Sequence, residues 1–262
     1  MVQAQNSSPY STSQMDNFYV VLAQGRVKPS AIMNYLQHLF VAERCNANDV
    51  VLDIGCGRGL LVPLLKEFAP EIREYTGVDI SEANLSEAEA LLSRLGRPLS
   101  FRCSFIHGDV TQLSTLVTDP ADTVVYTSAL EHLPRNAGIR SLSEVAKVLS
   151  RTGTLYLSTP RTSLGKPTGL QHKVHVYEWD RLELEAVLED AGLRVVDCIG
   201  LLPPGDSELE ATIESRFGLA GGAWFREMRR SVPHAFLAPV VASCFPDVAA
   251  ELLYVCKLGD SP

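Results

Sequence analysis

The chain has 262 residues, of which 46% are hydrophobic and 21% are charged. This composition excludes the disordered and fibrous classes, and the length fits one elaborated domain better than two independent ones. The formal net charge of −8 disfavours a general nucleic-acid binder, which needs an electropositive surface to replace phosphate counterions.

The amino-terminal region combines a polar tail with two helical patterns. Residues 1–14 show no signal-peptide pattern, and no apolar run approaches the ~18 residues of a membrane span, so we expect no membrane association. The spacing of apolar residues predicts one helix around Phe18–Leu22 and a second over Ile32–Phe40.

Six scattered cysteines without a CxxC pair indicate reduced thiols and a cytoplasmic protein.

From Val50 onward, strand patterns alternate with helix patterns, which is typical of βαβ units and a parallel sheet. The predicted strands lie near 50–54, 74–79, 101–106, 122–127, 153–159, 194–199 and 251–257. The predicted helices lie near 60–69, 82–95, 112–117, 137–149 and 180–191. Between 203 and 247 the alternation stops, and the apolar spacing there predicts helices near 207–217 and 223–230.

A glycine-rich turn follows the first of these strands. The segment Val50–Gly59 has the spacing DxGxGxG, in which Asp53 precedes Gly55, Gly57 and Gly59. Glycines allow a tight turn and the close approach of a ligand to the backbone. A dinucleotide enzyme would instead show GxGxxG, with pyrophosphate at the helix N-terminus. The carboxylate would repel pyrophosphate but suits a ligand that carries an ammonium group and a sulfonium.

This segment resembles motif I of the class I S-adenosylmethionine-dependent methyltransferases, and the order of elements resembles that family over roughly 50–200. Asp79 ends the second strand, where the fold places a carboxylate for the ribose hydroxyls. Its alternative role is to cap the next helix, although Ser81 serves that purpose better. The resemblance implies that Asp109 accepts a hydrogen bond from the adenine amino group, with a simple turn residue as the alternative.

The segment Ser128–Pro134 after the fourth strand resembles the family's fourth-strand motif, and the backbone of Ser128 and Ala129 is expected near the methionine part of the cofactor. The resemblance thus implies S-adenosyl-L-methionine as cofactor. The full predicted cofactor-binding set is Asp53, Gly55, Cys56, Gly57, Gly59, Asp79, Ile80, Gly108, Asp109, Val110, Ser128 and Ala129.

We therefore predict an α/β fold, with a doubly wound, Rossmann-like sheet of seven mostly parallel strands and an antiparallel last strand. An N-terminal helical cap precedes the sheet, and a helical insertion precedes the last strand. The predicted divisions are the tail and cap at 1–45, the cofactor-binding core at 46–202, the insertion at 203–247, and the last strand and C-terminus at 248–262.

Methyl transfer is an in-line displacement at an activated carbon, so the protein mainly aligns the acceptor and excludes water. Where a hydroxyl or ammonium acceptor loses a proton, a histidine is the natural base. The predicted catalytic residues are His132, His172 and His175, with Glu131 and Tyr177 as neighbouring candidates. His132 has the alternative role of fixing its loop. A metal site at His172 and His175 is rejected because Zn²⁺ needs three or four ligands.

We expect a small-molecule acceptor that is methylated on oxygen or nitrogen. The sequence is also compatible with a homodimer. The alternatives are an RNA or protein acceptor, a non-catalytic module that binds the cofactor, and a nicotinamide-dependent oxidoreductase. The two amino-terminal helices and the insertion 203–247 are predicted to roof the acceptor pocket. This roof would use aromatic side chains from both additions, namely Phe18, Tyr19, Tyr35, Phe217, Trp224 and Phe225.

Overall fold

The structure is a computed structural model that describes Gln24 and residues 29–96, 98–162, 170, 173–203 and 205–259. The predicted helix around Phe18–Leu22 lies outside the described residues, and so do Tyr19 and His172. The positions of the other predicted site residues are described.

The described residues form one seven-stranded sheet in the order β3-β2-β1-β4-β5-β7-β6. The strands are β1 Val50–Ile54, β2 Glu74–Asp79, β3 Arg102–His107, β4 Ala121–Thr127, β5 Leu149–Pro160, β6 Leu193–Leu202 and β7 Glu251–Leu258. Neighbouring strands from β1 to β5 pair in parallel, whereas β7 runs antiparallel to both β5 and β6. The predicted fold class, including its antiparallel last strand, is confirmed.

The helices flank this sheet on both faces. They are α1 Pro29–Ala42, α2 Val62–Phe68, α3 Glu82–Arg94, α4 Leu113–Leu116, α5 Arg135–Val148, α6 Arg181–Asp190, α7 Asp206–Ser231 and α8 His234–Ala242, with 3₁₀ turns at Val110–Gln112 and Leu130–His132. Local capping fixes where two of them start, because Ser81 Oγ accepts from Asn84 N and Asp180 Oδ1 accepts from Leu182 N. Within the described ranges, no helix is both long enough and apolar enough to cross a bilayer.

Two hydrophobic cores lie on opposite faces of the sheet. In β1 the side chains alternate, so that Leu52 and Ile54 enter the core with α5 while Val51 enters the core with α2. Each fully buried Leu or Ile stabilises the fold by about 1.5–3 kcal/mol. The same alternation places Asp53 on the side of Val51, where its carboxyl group is buried beneath the glycine-rich turn.

The insertion before β7 folds around a small core of its own. This core consists of Leu209, Ile213, Phe225, Leu237, Val241 and Phe245. The two helices predicted near 207–217 and 223–230 belong to one element, α7, which is interrupted by the non-helical backbone of Gly218 (φ 72°, ψ −176°). Helix α8 was not predicted, since its sequence HAFLAPVVA is apolar on several sides and contains Pro239. It is packed against α1, β6 and α7, which explains the missing polar face.

Candidate functional site

A cavity of about 430 Å³ opens at the carboxyl ends of the parallel strands. Its volume lies within the range of small-molecule sites, and open α/β sheets bind ligands at this edge. The lining residues are Gly55, Gly57, Asp79, Ile80, Ser81, Asn84, Asp109, Val110, Tyr126, Ser128, Ala129, His132 and Leu133.

The three glycines of the turn serve different steric purposes. All three have positive φ, which L side chains rarely adopt: 66° at Gly55, 53° at Gly57 and 68° at Gly59. A Cβ on Gly57 would meet no protein atom within 4 Å, so this position leaves free space for a ligand. A Cβ on Gly59 would lie 3.1 Å from the ring of Phe105. Gly59 therefore permits close packing below the loop and does not line the cavity.

Asp79 connects the end of β2 to the glycine-rich turn. Its carboxylate accepts from the backbone N–H of Gly57 at Oδ2 and of Ser81 at Oδ1, both at 2.8 Å. The side-chain amide of Asn84 donates to Oδ1 at 3.4 Å. Since a carboxylate offers about four lone-pair sites, acceptor capacity remains for a ligand. The carboxylate is thus held in place at the cavity wall by the loop it supports.

Asp53 and Cys56 lie behind the turn, outside the cavity lining. The Asp53 carboxyl accepts a 2.8 Å hydrogen bond from the hydroxyl of Tyr75. Burial raises the pKa of Asp53 to about 7 despite this hydrogen bond, and the charge of Asp79 adds to the rise. The thiol of Cys56 points toward β2, where a Cβ on Gly77 would approach it to 2.7 Å. Asp53 therefore lies behind the turn as a buried partner of Tyr75, while Cys56 packs the loop onto the sheet.

On the β3 side, Asp109 and Val110 line the cavity, and Gly108 does not. Asp109 Oδ1 accepts from the backbone N–H of Thr111 at 2.8 Å and so caps the following 3₁₀ turn. Gly108 donates its N–H to the carbonyl of Asp79, and a Cβ at this position would collide with Leu116. Asp109 therefore fits the turn role, and its carboxylate also borders the cavity as the cofactor role requires.

The segment after β4 brings backbone groups to the cavity. Ser128 has φ +49°, an uncommon conformation for a residue with a side chain. Its N–H donates to the carbonyl of Ser158 at 3.0 Å, and its hydroxyl donates to Glu251 Oε1 at 3.2 Å. Burial, followed by the charge of Glu131, raises the pKa of Glu251 to about 8. These contacts hold Ser128 and Ala129 against the turn at Gly55.

Two of the three predicted catalytic histidines meet beside the cavity, which is lined by His132 but not by His175. The rings of His132 and His175 pack edge to face with centroids 5.4 Å apart. The Nδ1 atom of His132 lies 3.1 Å from the carbonyl oxygen of Val174, so the predicted loop-fixing contact is present. The Nδ1 atom of His175 lies 2.5 Å from Glu178 Oε1.

Glu131 is buried beside these rings and accepts from the Thr159 hydroxyl at 3.1 Å. Burial raises the pKa of Glu131, and the charges of His132 and His175 oppose that rise. Tyr177 instead donates to Glu183 and packs on Trp179, so it does not line the cavity.

Several residues at the site were not predicted from the sequence. Ser81 and Asn84 line the cavity, whereas the sequence suggested only a helix cap for Ser81 and no role for Asn84. Their position directly after Asp79 was the signal that could have identified them. His38 on α1 lies 3.3 Å from Thr127 Oγ1 at the end of β4, and burial lowers its pKa to about 4. It is therefore a neutral imidazole, and the sequence alone gives no sign of this long-range contact.

The additions do not supply the predicted aromatic lining within the described residues. Tyr35, Phe217 and Trp224 are each at least half exposed, and Phe225 is buried in the core of α7 and α8. None of these four lines the cavity, because their helices pack against one another and against the sheet. Phe18 and Tyr19 lie outside the described residues. A separate groove of about 300 Å³ lies between α1, β6 and α8.

The Methyltransferase domain family matches residues 51–153, which include the glycine-rich turn, Asp79 and Asp109. A Mycolicibacterium smegmatis protein named "Probable S-adenosylmethionine-dependent methyltransferase" is 33% identical over 175 residues, covering 65% of this chain and 62% of the relative. The chain thus spans less than two thirds of that relative's length. A ubiquinone biosynthesis O-methyltransferase from Pseudomonas paraeruginosa is 27% identical, with 68% and 79% of the two chains covered.

Solved structures show the same fold. An S-adenosylmethionine-dependent methyltransferase from Clostridium acetobutylicum superimposes with a TM-score of 0.56 at 12% identity, and the match covers 94% of this chain and 98% of that one. At this identity the likeness concerns the fold alone. Residues 51–153 thus match the methyltransferase domain family, and the sheet order and the glycine-rich turn beside Asp79 support the resemblance to the class I S-adenosylmethionine-dependent methyltransferases.

Proposed function

We propose that this chain transfers a methyl group from S-adenosyl-L-methionine to an oxygen or nitrogen atom of a small-molecule acceptor. The observation that carries the proposal is the cavity at the strand ends, which joins the Asp79 and Gly57 wall to His132, whose ring packs against that of His175. One end of the cavity has the groups that a charged nucleoside needs. The other end has groups that can act on an acceptor.

The residues present fit the cofactor. The open space beside Gly57 and the spare acceptor capacity of Asp79 suit a ribose, and Asp109 borders the region assigned to the adenine. The backbone of Ser128 and Ala129 borders the region assigned to the methionine part. When bound, the cofactor supplies a methyl group on a positively charged sulfur. The Asp79 carboxylate at the cavity wall contributes negative charge, which favours a cationic ligand.

We assign the acceptor end of the cavity to His132 and its neighbours. A carbonyl oxygen only accepts, so the contact with Val174 puts the proton of a neutral His132 on Nδ1 and leaves a lone pair on Nε2. The contact of His175 with Glu178 orients that ring in the same way. The Nε2 lone pair of His132 is suited to act on the hydroxyl or ammonium group of an acceptor.

The choice of a small acceptor rests on charge and on the relatives. A net charge of −8 opposes the binding of a polyanion such as RNA. Several relatives carry the name ubiquinone biosynthesis O-methyltransferase, which supports oxygen as the acceptor atom. A protein acceptor and a non-catalytic cofactor-binding role are the remaining alternatives.

The proposal is tested by following S-adenosylhomocysteine release from the purified chain. Separate reactions contain panels of hydroxylated aromatic compounds, aliphatic alcohols, amines, RNA and unfolded protein. We expect turnover with at least one small hydroxyl or amine compound and none with RNA or protein. Turnover with only a macromolecule would contradict the small-acceptor proposal, and binding without any turnover would support the non-catalytic role.

A further inference from the structure

We propose that Glu251 is a positioning residue for the cofactor: from the start of β7 it holds the Ser128 hydroxyl and so fixes the backbone that borders the methionine part of S-adenosylmethionine. This inference rests on the proposed function, because that function assigns the methionine part to Ser128 and Ala129. The hydroxyl of Ser128 donates to Glu251 Oε1 at 3.2 Å, between residues 123 positions apart in the chain. Glu251 does not line the cavity itself, so it acts on the cofactor through Ser128.

The backbone conformation of Ser128 requires support from outside its own loop. Its φ of +49° lies in the left-handed region, which residues with a side chain rarely adopt. Such a conformation persists where the surrounding contacts fix it. The N–H of Ser128 donates to the carbonyl oxygen of Ser158 on β5 at 3.0 Å and lies 3.1 Å from the Ser158 hydroxyl oxygen. Two neighbouring strands thus hold Ser128, β5 through its N–H and β7 through its hydroxyl.

The loop after β4 lies directly against the glycine-rich turn. A Cβ added to Gly55 would approach the Cβ of Ala129 to 2.7 Å, and both residues line the cavity. The loop and the turn are therefore in contact beside the cofactor region. Because no space separates them, a change of backbone conformation at Ser128 alters the cavity wall that the loop and the turn form together.

Glu251 is a rigid partner for this loop. β7 lies between β5 and β6, and Glu251 pairs with Pro160 on one side and with Leu202 on the other. Burial of its side chain, followed by the charge of Glu131, raises the pKa of Glu251 to about 8. Near neutral pH the carboxyl is therefore mostly uncharged, and its contact with Ser128 is a hydrogen bond between neutral groups. A buried hydroxyl that loses such a partner is left unsatisfied, which is costly.

The proposal is tested by two substitutions of Glu251 in the full chain that differ in the acceptor. Glu251→Gln keeps an acceptor oxygen for Ser128, whereas Glu251→Leu fills most of the same space without one. The readout is the affinity for S-adenosylhomocysteine, measured by calorimetry at pH 7, with circular dichroism to check the fold. We expect Glu251→Leu to weaken binding about tenfold and Glu251→Gln to stay within about threefold of the wild type.

Ser128→Ala tests the same hydrogen bond from its other side, and it also keeps the proposal testable if Glu251→Leu does not fold. It should likewise weaken S-adenosylhomocysteine binding about tenfold. The double variant of Ser128→Ala and Glu251→Leu should bind no more weakly than either single variant, because both substitutions remove one and the same bond. Losses that multiply in the double variant, or unaltered affinity in Ser128→Ala, would overturn the proposal.

The matched control is Glu144→Leu on α5. Glu144 and Glu251 are each 8% exposed, and Glu144 also accepts from a serine hydroxyl, that of Ser114 at 2.6 Å. Neither Glu144 nor Ser114 lines the cavity, so its affinity for S-adenosylhomocysteine should stay within about twofold of the wild type. Unaltered affinity in Glu251→Leu, or an equal loss in Glu144→Leu, would overturn the positioning role. Failure of the wild type to bind S-adenosylhomocysteine would instead overturn the proposed function.

Discussion

The two ends of the cavity differ in how the chain builds them. At the cofactor end, one short segment supplies the glycine-rich turn, and the backbone of Gly57 and Ser81 bonds directly to Asp79. At the acceptor end, side chains from two distant segments meet, since Glu131 and His132 follow β4 while His175 precedes α6. The glycine-rich turn of the first end is therefore a local motif, whereas its contact with Asp79 and the whole second end exist only after the fold has formed.

The difference also concerns the role of side chains. At the cofactor end the critical property of Gly57 is the absence of a side chain, and a carboxylate is held by backbone N–H groups. At the acceptor end, two rings are oriented by a carbonyl and by a carboxylate. Substitutions at the two ends should consequently separate cofactor binding from turnover.

The largest expected effect is that of Gly57→Val on cofactor binding. A β-branched residue at φ 53° is strained, and its side chain would occupy the open space beside the turn. We expect a folded chain by circular dichroism that shows no S-adenosylhomocysteine binding by calorimetry. The matched control is Gly192→Val, which has φ 79° and equally open surroundings far from the cavity. Equal binding by Gly57→Val and Gly192→Val would show that the turn does not hold the cofactor.

His175→Ala should show the opposite behaviour to Gly57→Val. The loss of a group that acts on the acceptor typically costs ~10²–10⁴ in rate, whether it is a base or orients one. We expect turnover with the acceptor found in the panel to fall by this factor, while affinity for S-adenosylhomocysteine stays within about twofold because His175 does not line the cofactor region. His234→Ala, which removes an exposed histidine at the start of α8, serves as the control. Near-normal turnover in His175→Ala would leave alignment alone as the source of catalysis.

Asp79→Ala should weaken cofactor binding without abolishing it. Removal of a buried hydrogen-bonding partner costs ~1–3 kcal/mol, which corresponds to about 5–150-fold in affinity. The backbone N–H of Gly57 also loses its acceptor, so the turn should become less ordered. Asp190→Ala, at the exposed end of α6, is the control for a lost carboxylate. Unaltered calorimetric affinity in Asp79→Ala would contradict the ribose assignment.

The smallest expected effect concerns Asp53 and pH. Its pKa rises from 3.8 to about 7 on folding, so the protonated carboxyl is favoured in the folded state. Stability is therefore lost as pH rises between these values, by up to about 1.4 kcal/mol per pH unit. Asp53→Asn keeps an acceptor for Tyr75 but has no charge, so its stability relative to wild type should increase between pH 4 and 7. Urea unfolding across that range measures the difference in the free energy of unfolding between Asp53→Asn and wild type. A difference that does not change with pH would contradict the raised pKa of Asp53.

The sequence predicted the sheet well because its strands carry continuous apolar runs that end at glycines and acids. The strand β1 was predicted with its observed bounds, Val50–Ile54. The glycine-rich turn contacts Asp79 through the backbone N–H of Gly57, as the resemblance to the family motif implies. Helix α8 was missed because burial on several sides removes the periodicity by which a helix is identified.

The acceptor end could not be predicted in the same way. The meeting of His132 and His175 depends on backbone bonds from Val176 and Tyr177 to Glu131, which no local pattern indicates. The contact of His38 with Thr127 is equally non-local. The described aromatic residues of the predicted roof do not line the cavity, because an aromatic side chain on an added helix packs that helix as readily as it lines a pocket.

The central claim, that the turn and Asp79 hold a cationic nucleoside, is tested most directly by calorimetric titration of the wild-type chain with S-adenosylmethionine and NAD⁺. The Asp79 carboxylate at the cavity wall favours the sulfonium and ammonium groups and repels pyrophosphate. The account predicts one saturable site for S-adenosylmethionine and no measurable heat with NAD⁺ at the same concentrations. Saturable binding of NAD⁺ together with no binding of S-adenosylmethionine would contradict it.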